Sequence, residues 1–314
     1  MPTHGIHHVT AIASDPQRNV EFYTSVLGLR LVKRTVNFDD PTTYHLYYGD
    51  ERGSPGTALT FFPTEGARQG RVGKGQTNAT AFAIPADSVD YWTERFDELG
   101  VDANVPEERF GETVVPFRDH DGQPFELVAT DEVGAGVEPW AEGPVPAEHA
   151  IRGFYGVTLH SLDTDVTASV LETLGYERVN EAPDRIRYRT DGDHATVVDL
   201  LTRDGERGVP GAGTVHHVAF RAVDDAEQAD LATALDECGQ HVTAQKDRQY
   251  FRSVYFREPG GILFEIATDG PGFDTDESLG ELGSSLKLPP WLEGDRDRLE
   301  AELPALADPT MEAQ

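Results

Sequence analysis

The chain has 314 residues, 38% of them hydrophobic, enough for packed cores in two ordinary domains or in one two-lobed unit. Its 56 acidic residues against 26 basic ones give a net charge of −30, which repels nucleic acid and anionic membranes and so excludes them as expected partners. Only four of the basic residues are lysines (Lys33, Lys74, Lys246, Lys287), and that scarcity points to a salt-rich cytoplasm in which screening relieves self-repulsion.

No apolar run is long enough to span a bilayer, and Met1-Pro2-Thr3-His4 lacks the character of a signal peptide, so a cytoplasmic location is expected. One unit recurs along the chain. It opens with a strand from Gly5 to Ile12. Asp15-Pro16 then starts a helix that carries Phe22, Val26 and Leu27 and stops at Gly28. Strands follow at Leu29–Val36, Tyr44–Tyr48 and Ala58–Phe62. The second unit begins at Ala79–Ile84, has a helix opened by Asp87 and closed by Gly100, and ends in Pro124–Asp131. The third runs from Gly153–Leu159 through a helix from Asp163 to Leu174 to a last strand at Ala195–Leu201. The fourth starts at Thr214, has a helix from about Asp225 to Gly239, and ends in Phe264–Asp269.

These readings predict an α+β chain of four β-α-β-β-β modules. Residues 1–131 hold the first pair, 132–152 a linker, 153–269 the second pair, and 270–314 a C-terminal extension. The extension is expected to pack across the body, because Trp291 and its leucines need burial. Cys238, the sole cysteine, reads as a packed, inert thiol at a helix end.

Aligning the modules isolates the chemistry. His-His occurs at the same place in the first strand of modules one and four, as His7-His8 and His216-His217. The last-strand position holding Glu265 in module four holds Glu126, Asp199 and Thr60 in modules two, three and one. Pairing modules one and four assembles His8, His217 and Glu265, two imidazoles and a carboxylate that can hold a divalent metal and leave one face open for oxygen and a substrate. Pairing modules two and three assembles Ala79, Gly156, Glu126 and Asp199, a poor site for a transition metal. Glu126 and Asp199 are expected to accept backbone hydrogen bonds or face solvent. Adjacent strand residues alternate faces, so His7 and His216 can join the pocket only if their strands bulge. His45 receives no role, and His4, His120, His149, His160, His194 and His241 read as surface or loop residues.

With these residues in place, the chain resembles the vicinal oxygen chelate superfamily, and within it the ring-cleaving dioxygenases of hydroquinones. The segments that carry the resemblance are Gly5–Thr10, Lys33–Pro41, Tyr44–Asp50, Val215–Phe220 and Asp247–Asp269. It implies a two-lobed fold, Fe(II) or in some members Mn(II) on His8, His217 and Glu265, and supporting roles for His7, His216, Arg248 and Tyr255. His216 is then a candidate acid/base. Tyr255 would donate to the substrate or to oxygen, Arg248 would hold Tyr255 or stabilise negative charge, and His7 would bond the distal hydroxyl or shape the pocket. The expected partners are an aromatic small molecule and O2, with a homo-oligomer left open. Alternatives on the same scaffold are a glyoxalase-type isomerase or lyase, which commonly needs a further carboxylate where Thr60 stands, and a protein that sequesters small molecules.

Overall fold

The computed structural model describes residues 2–131, 134 and 136–307. Met1, residues 132, 133 and 135 of the expected linker and residues 308–314 of the expected extension lie outside the described residues.

Each module has the expected order of a strand, a helix and further strands. Module one comprises β1 (Ile6–Ala13), α1 (Pro16–Glu21), β2 (Arg30–Asn37), β3 (Asp40–Gly49) and β4 (Ala58–Pro63). Module two comprises β5 (Gln76–Pro85), α2 (Val89–Leu99), the short β6 (Asp102–Ala103) and β7 (Glu107–Arg109), β8 (Glu112–Arg118) and β9 (Pro124–Thr130). Module three comprises β10 (Phe154–His160), α3 (Thr164–Thr173), β11 (Glu177–Ala182), β12 (Arg185–Arg189) and β13 (Val197–Leu201). Module four comprises β14 (Thr214–Ala222), α4 (Asp225–Glu237), β15 (Lys246–Asp247), β16 (Arg252–Arg257) and β17 (Leu263–Thr268), and α5 (Arg296–Glu302) follows in the extension.

Local chemistry sets the helix ends. Asp15, Asp163 and Asp224 accept hydrogen bonds from the free first-turn amides of α1, α3 and α4. Gly100 closes α2 in the left-handed conformation that a side chain would strain. Asp87 differs from expectation: it sits in a 3₁₀ turn before α2 and caps nothing. The first helix also differs, since α1 gives way after Glu21 to a π-helical turn over Phe22–Val26.

Two mixed sheets result. One has eight strands in the order β15-β16-β17-β14-β1-β4-β3-β2, and the other has nine, with β11-β12-β13-β10-β5-β9-β8-β6 as its path and β7 paired to β8. Modules one and four therefore share the first sheet, and modules two and three share the second. In each, two opening strands run antiparallel at the centre (β1 with β14, β10 with β5), and each is flanked by the parallel last strand of its own module. Helices cover the sheets through a continuous apolar core that includes Val9, Phe82, Trp92, Phe96, Phe125 and Phe220.

The extension packs on module one, as expected for Leu288, Leu299 and Leu303, which are buried. Trp291 departs from expectation: it is 52% exposed and meets Phe38 edge to face. Cys238 is exposed rather than packed. The strongest tie between extension and body is ionic. Lys33 on β2 is fully buried, and its Nζ donates to Asp276 and Glu277 at 2.6 and 2.5 Å. Removing the cation leaves the buried Glu277 carboxylate with a distant Lys287 at 3.9 Å and long hydrogen bonds from the Gly283 amide and the Ser285 hydroxyl at 3.4 and 3.5 Å. Lys33→Met should therefore destabilise the protein by about 3–5 kcal/mol, read as a lowered midpoint in chemical denaturation.

Candidate metal centre

The pairing of β1 with β14 is interrupted twice. It passes from Ile6↔Phe220 to His8↔Ala219 and from Thr10↔His217 to Ala11↔Val215, so His7 and His216 are each the extra residue of a bulge. The bulge breaks strict alternation and lets both histidines of a pair contact each other. His7 Nδ1 lies 2.9 Å from His8 Nδ1, and His216 Nδ1 lies 2.8 Å from His217 Nδ1. The second sheet bulges at the equivalent residues, Tyr155 and Asn78, where β10 meets β5. The irregularity thus belongs to the fold, and the imidazoles belong to this lobe.

His8, His217 and Glu265 converge from β1, β14 and β17. Glu265 Oε2 stands 2.9 Å from His217 Nε2 and 3.4 Å from His8 Nε2, and the two Nε2 atoms are 3.2 Å apart. All three side chains are buried. Donors about 2.0–2.2 Å from one cation, at tetrahedral to octahedral angles, stand roughly 2.8–3.6 Å from one another. The triangle therefore fits a single ion.

The donor chemistry agrees. Glu265 Oε1 accepts from Ser253 Oγ, but Oε2 is buried without hydrogen-bond geometry to either imidazole. When each Nδ1–H donates to the neighbouring histidine, two Nε2 lone pairs and a carboxylate oxygen face one point, an arrangement that calls for a cation. Burial pushes the Glu265 carboxyl up, yet the charges of His8 and His217 outweigh it and hold it well below the usual range. Burial lowers His217. A carboxylate and neutral imidazole are the forms that bind metal.

A cavity of about 460 Å³ opens on the triangle. Tyr255, opposite Glu265 on β16, lines it with its Oη accepting from Arg248 Nε at 3.0 Å, while Arg248 Nη2 donates to Asp39 at 2.9 Å. Burial pushes the Tyr255 phenol well above its ordinary range, so it keeps its proton; Arg248 can only donate to it, and the Ser253 hydroxyl is a second hydrogen-bond partner. His216 lines the same cavity from an exposed position, and burial of its ring with the neighbouring His217 lowers it to about 4. His7 does not line this cavity. It borders a separate hollow of about 190 Å³ with Tyr250 and Phe273 and meets the triangle through His8.

Some residues escaped sequence reasoning. Ser253 holds the Glu265 carboxylate, and its signal was legible, since it lies two residues from Tyr255 on one face of β16. His45 lines the cavity, bonded to Tyr47 Oη at 2.9 Å and to Thr60 Oγ1 at 2.8 Å, and Thr60 also pairs with Thr10 at 2.7 Å. The fourth equivalent position is thus a hydroxyl network rather than a ligand. His160, expected at the surface, is buried and bonded to the Arg203 carbonyl.

The second sheet answers the same electrostatic problem differently. Glu126 takes two bonds from Arg109 at 2.8 and 2.9 Å, and Asp199 is held by Arg185 and Arg187. Both carboxylates are buried and paired with guanidinium groups, not with backbone or solvent as expected.

Comparison with known proteins agrees with this architecture. The family described as the Glyoxalase/Bleomycin resistance protein/Dioxygenase superfamily matches residues 5–127 and 167–266. The chain is 49% identical, over 96% of both sequences, to "Putative ring-cleaving dioxygenase MhqO" of Bacillus subtilis. It is 35% identical, over 94% of both, to the chlorohydroquinone/hydroquinone 1,2-dioxygenase of Sphingobium indicum. A crystal structure of a dioxygenase, described as putative, from Bacillus subtilis superposes with a TM-score of 0.94 at 47% identity over 98% of both chains. Maize glyoxalase I, at 18% identity and a TM-score of 0.64 over 90% of this chain and 97% of its own, shares the fold. Two bulged, module-swapped sheets with this sequence kinship place the chain in the Glyoxalase/Bleomycin resistance protein/Dioxygenase superfamily.

Proposed function

We propose that the protein is a ring-cleaving dioxygenase that inserts both atoms of O2 into a hydroquinone- or catechol-type ring, with Fe(II) held by His8, His217 and Glu265. The observation that carries this reading is the buried triangle of two imidazole nitrogens and one orphaned carboxylate oxygen facing a cavity of about 460 Å³. The relatives named as ring-cleaving dioxygenases support the reaction class. Bound Fe(II) would supply Lewis acidity toward a ring hydroxyl and an electron path between ring and oxygen.

The chain's own residues then have separable tasks. Phe62 and Phe251 give the cavity apolar walls that receive an aromatic face and keep water away. Tyr255 holds a proton at Oη for an oxygen of the substrate or of O2, and Arg248 fixes that hydroxyl from behind. His216 accepts His217 Nδ1–H at its own Nδ1, which leaves its proton on Nε2. It therefore serves as a neutral donor at the cavity rim rather than as a base. His7 plays the matching part behind His8. The isomerase or lyase alternative lacks a carboxylate at the Thr60 position, which Thr10 and His45 already occupy with hydrogen bonds.

His217→Ala should lose iron and oxygen uptake together, measured by metal analysis and an oxygen electrode across a panel of hydroquinones and catechols. Full metal content and rate in that variant would overturn the ligand assignment. Tyr255→Phe should retain iron while oxygen uptake slows about 10²-fold or more. His7→Phe and His216→Phe should each weaken metal affinity roughly 10–100-fold, read by chelator competition, because each removes the acceptor that orients a ligand imidazole.

A further inference from the structure

A second cavity of about 330 Å³ borders the first, with Ile12, His216 and Leu263 forming the partition that both share. It lies in the seam between the two sheets. Its walls include Lys74, Arg207 and Arg257, and no aspartate or glutamate. In a chain where acidic residues outnumber basic ones 56 to 26, most guanidinium groups are paired; these two have no carboxylate partner among the described residues. Arg257 donates only to the Gly261 carbonyl at 2.7 Å. Lys74 meets Asp204 at 3.3 Å, but that carboxylate is almost wholly exposed and holds it weakly. A further observation points to a ligand. Thr77 is buried, lines this cavity, and its Oγ1 has no hydrogen-bond partner among the described residues. Three cations and an idle hydroxyl around a carboxylate-free hollow are what a small anion requires.

We propose that this second cavity is a carboxylate subsite serving the aromatic ligand of the main cavity. The proposal rests on the ring-cleavage reading for the identity of that ligand. A carboxylate can arise there in two ways. It can be a substituent on the ring that binds. It can also be formed by the reaction, when the bond between a hydroxylated carbon and its hydrogen-bearing neighbour breaks. The four electrons of that carbon–carbon double bond reduce O2, one oxygen atom goes to each carbon, and an acid and an aldehyde result, the acid releasing its proton to solvent. Arg207, Arg257 and the Thr77 hydroxyl then receive the carboxylate across the His216 partition.

The test compares the iron-loaded wild type with Arg207→Leu/Arg257→Leu and with Thr77→Val, which leaves the charge unchanged. Anaerobic calorimetry reads the affinity for 2,5-dihydroxybenzoate and for unsubstituted hydroquinone, and oxygen uptake reads inhibition by the ring-opened product. Affinity for the dihydroxybenzoate is expected to fall at least about tenfold more than affinity for hydroquinone in the double variant, and several-fold more in Thr77→Val. That result identifies a ring substituent as the source. Weakened product inhibition alone identifies the ring-opened acid. Carboxylate affinity and product inhibition both within twofold of wild type would overturn the subsite. If no hydroquinone supports oxygen uptake, the ring-cleavage reading fails, while arginine-dependent binding of the dihydroxybenzoate still decides the subsite. Should the double variant fail to fold, Thr77→Val carries the same comparison.

Discussion

One buried carboxylate governs the first lobe. Glu265 lies on a central strand with both flanks occupied, where an unpaired negative charge is costly. Ser253 satisfies one of its oxygens, and the other is aimed at two imidazole nitrogens whose rings meet a second histidine at Nδ1 on the opposite side. The bulges at His7 and His216 make that orientation possible, because they set a second imidazole beside each first one. The doubled histidine is thus a unit in which one ring faces the shared point and its neighbour fixes the tautomer.

The second lobe shows the same constraint met by other means. Its bulges at Tyr155 and Asn78 reproduce the backbone, and Glu126 and Asp199 stand where Glu265 and Thr60 stand. Arginines from neighbouring strands reach both acids, so covalently attached cations replace a diffusible one. A lobe whose positive charge is built in does not call for an added cation at that place. The division of labour between the lobes follows from which side chains supply the compensating charge, on nearly identical skeletons.

Much of this was legible in the sequence. The strand and helix order followed from apolar periodicity, Asp caps and Gly stops, and aligning the modules brought His8, His217 and Glu265 into register before any coordinates. That register holds: Ala219 pairs with Glu265 as Thr10 pairs with Thr60. What was hidden depends on three-dimensional neighbours. Strand alternation allowed His7 and His216 near the pocket only through a bulge, and whether their strands bulge could not be read, because a bulge leaves no local signature in residues that are otherwise good strand formers. The arginine partners of Glu126 and Asp199 come from other strands, and no spacing rule names them. Trp291 read as a core residue by its type, yet one edge contact with Phe38 is all it has from that ring pair. The seam cavity with Arg207 and Arg257 joins loops far apart in the chain and could not be read from either.

The arrangement of strands also has a temporal side. The three side chains of the triangle come from the first module and the last, with more than half of the chain between His8 and His217. A chain growing from its first residue carries only one imidazole of the triangle, His8, until His217 is made. The triangle proposed to hold a metal is complete only when β17 has docked beside β14. The site therefore closes late in folding, after strands far apart in the sequence have paired.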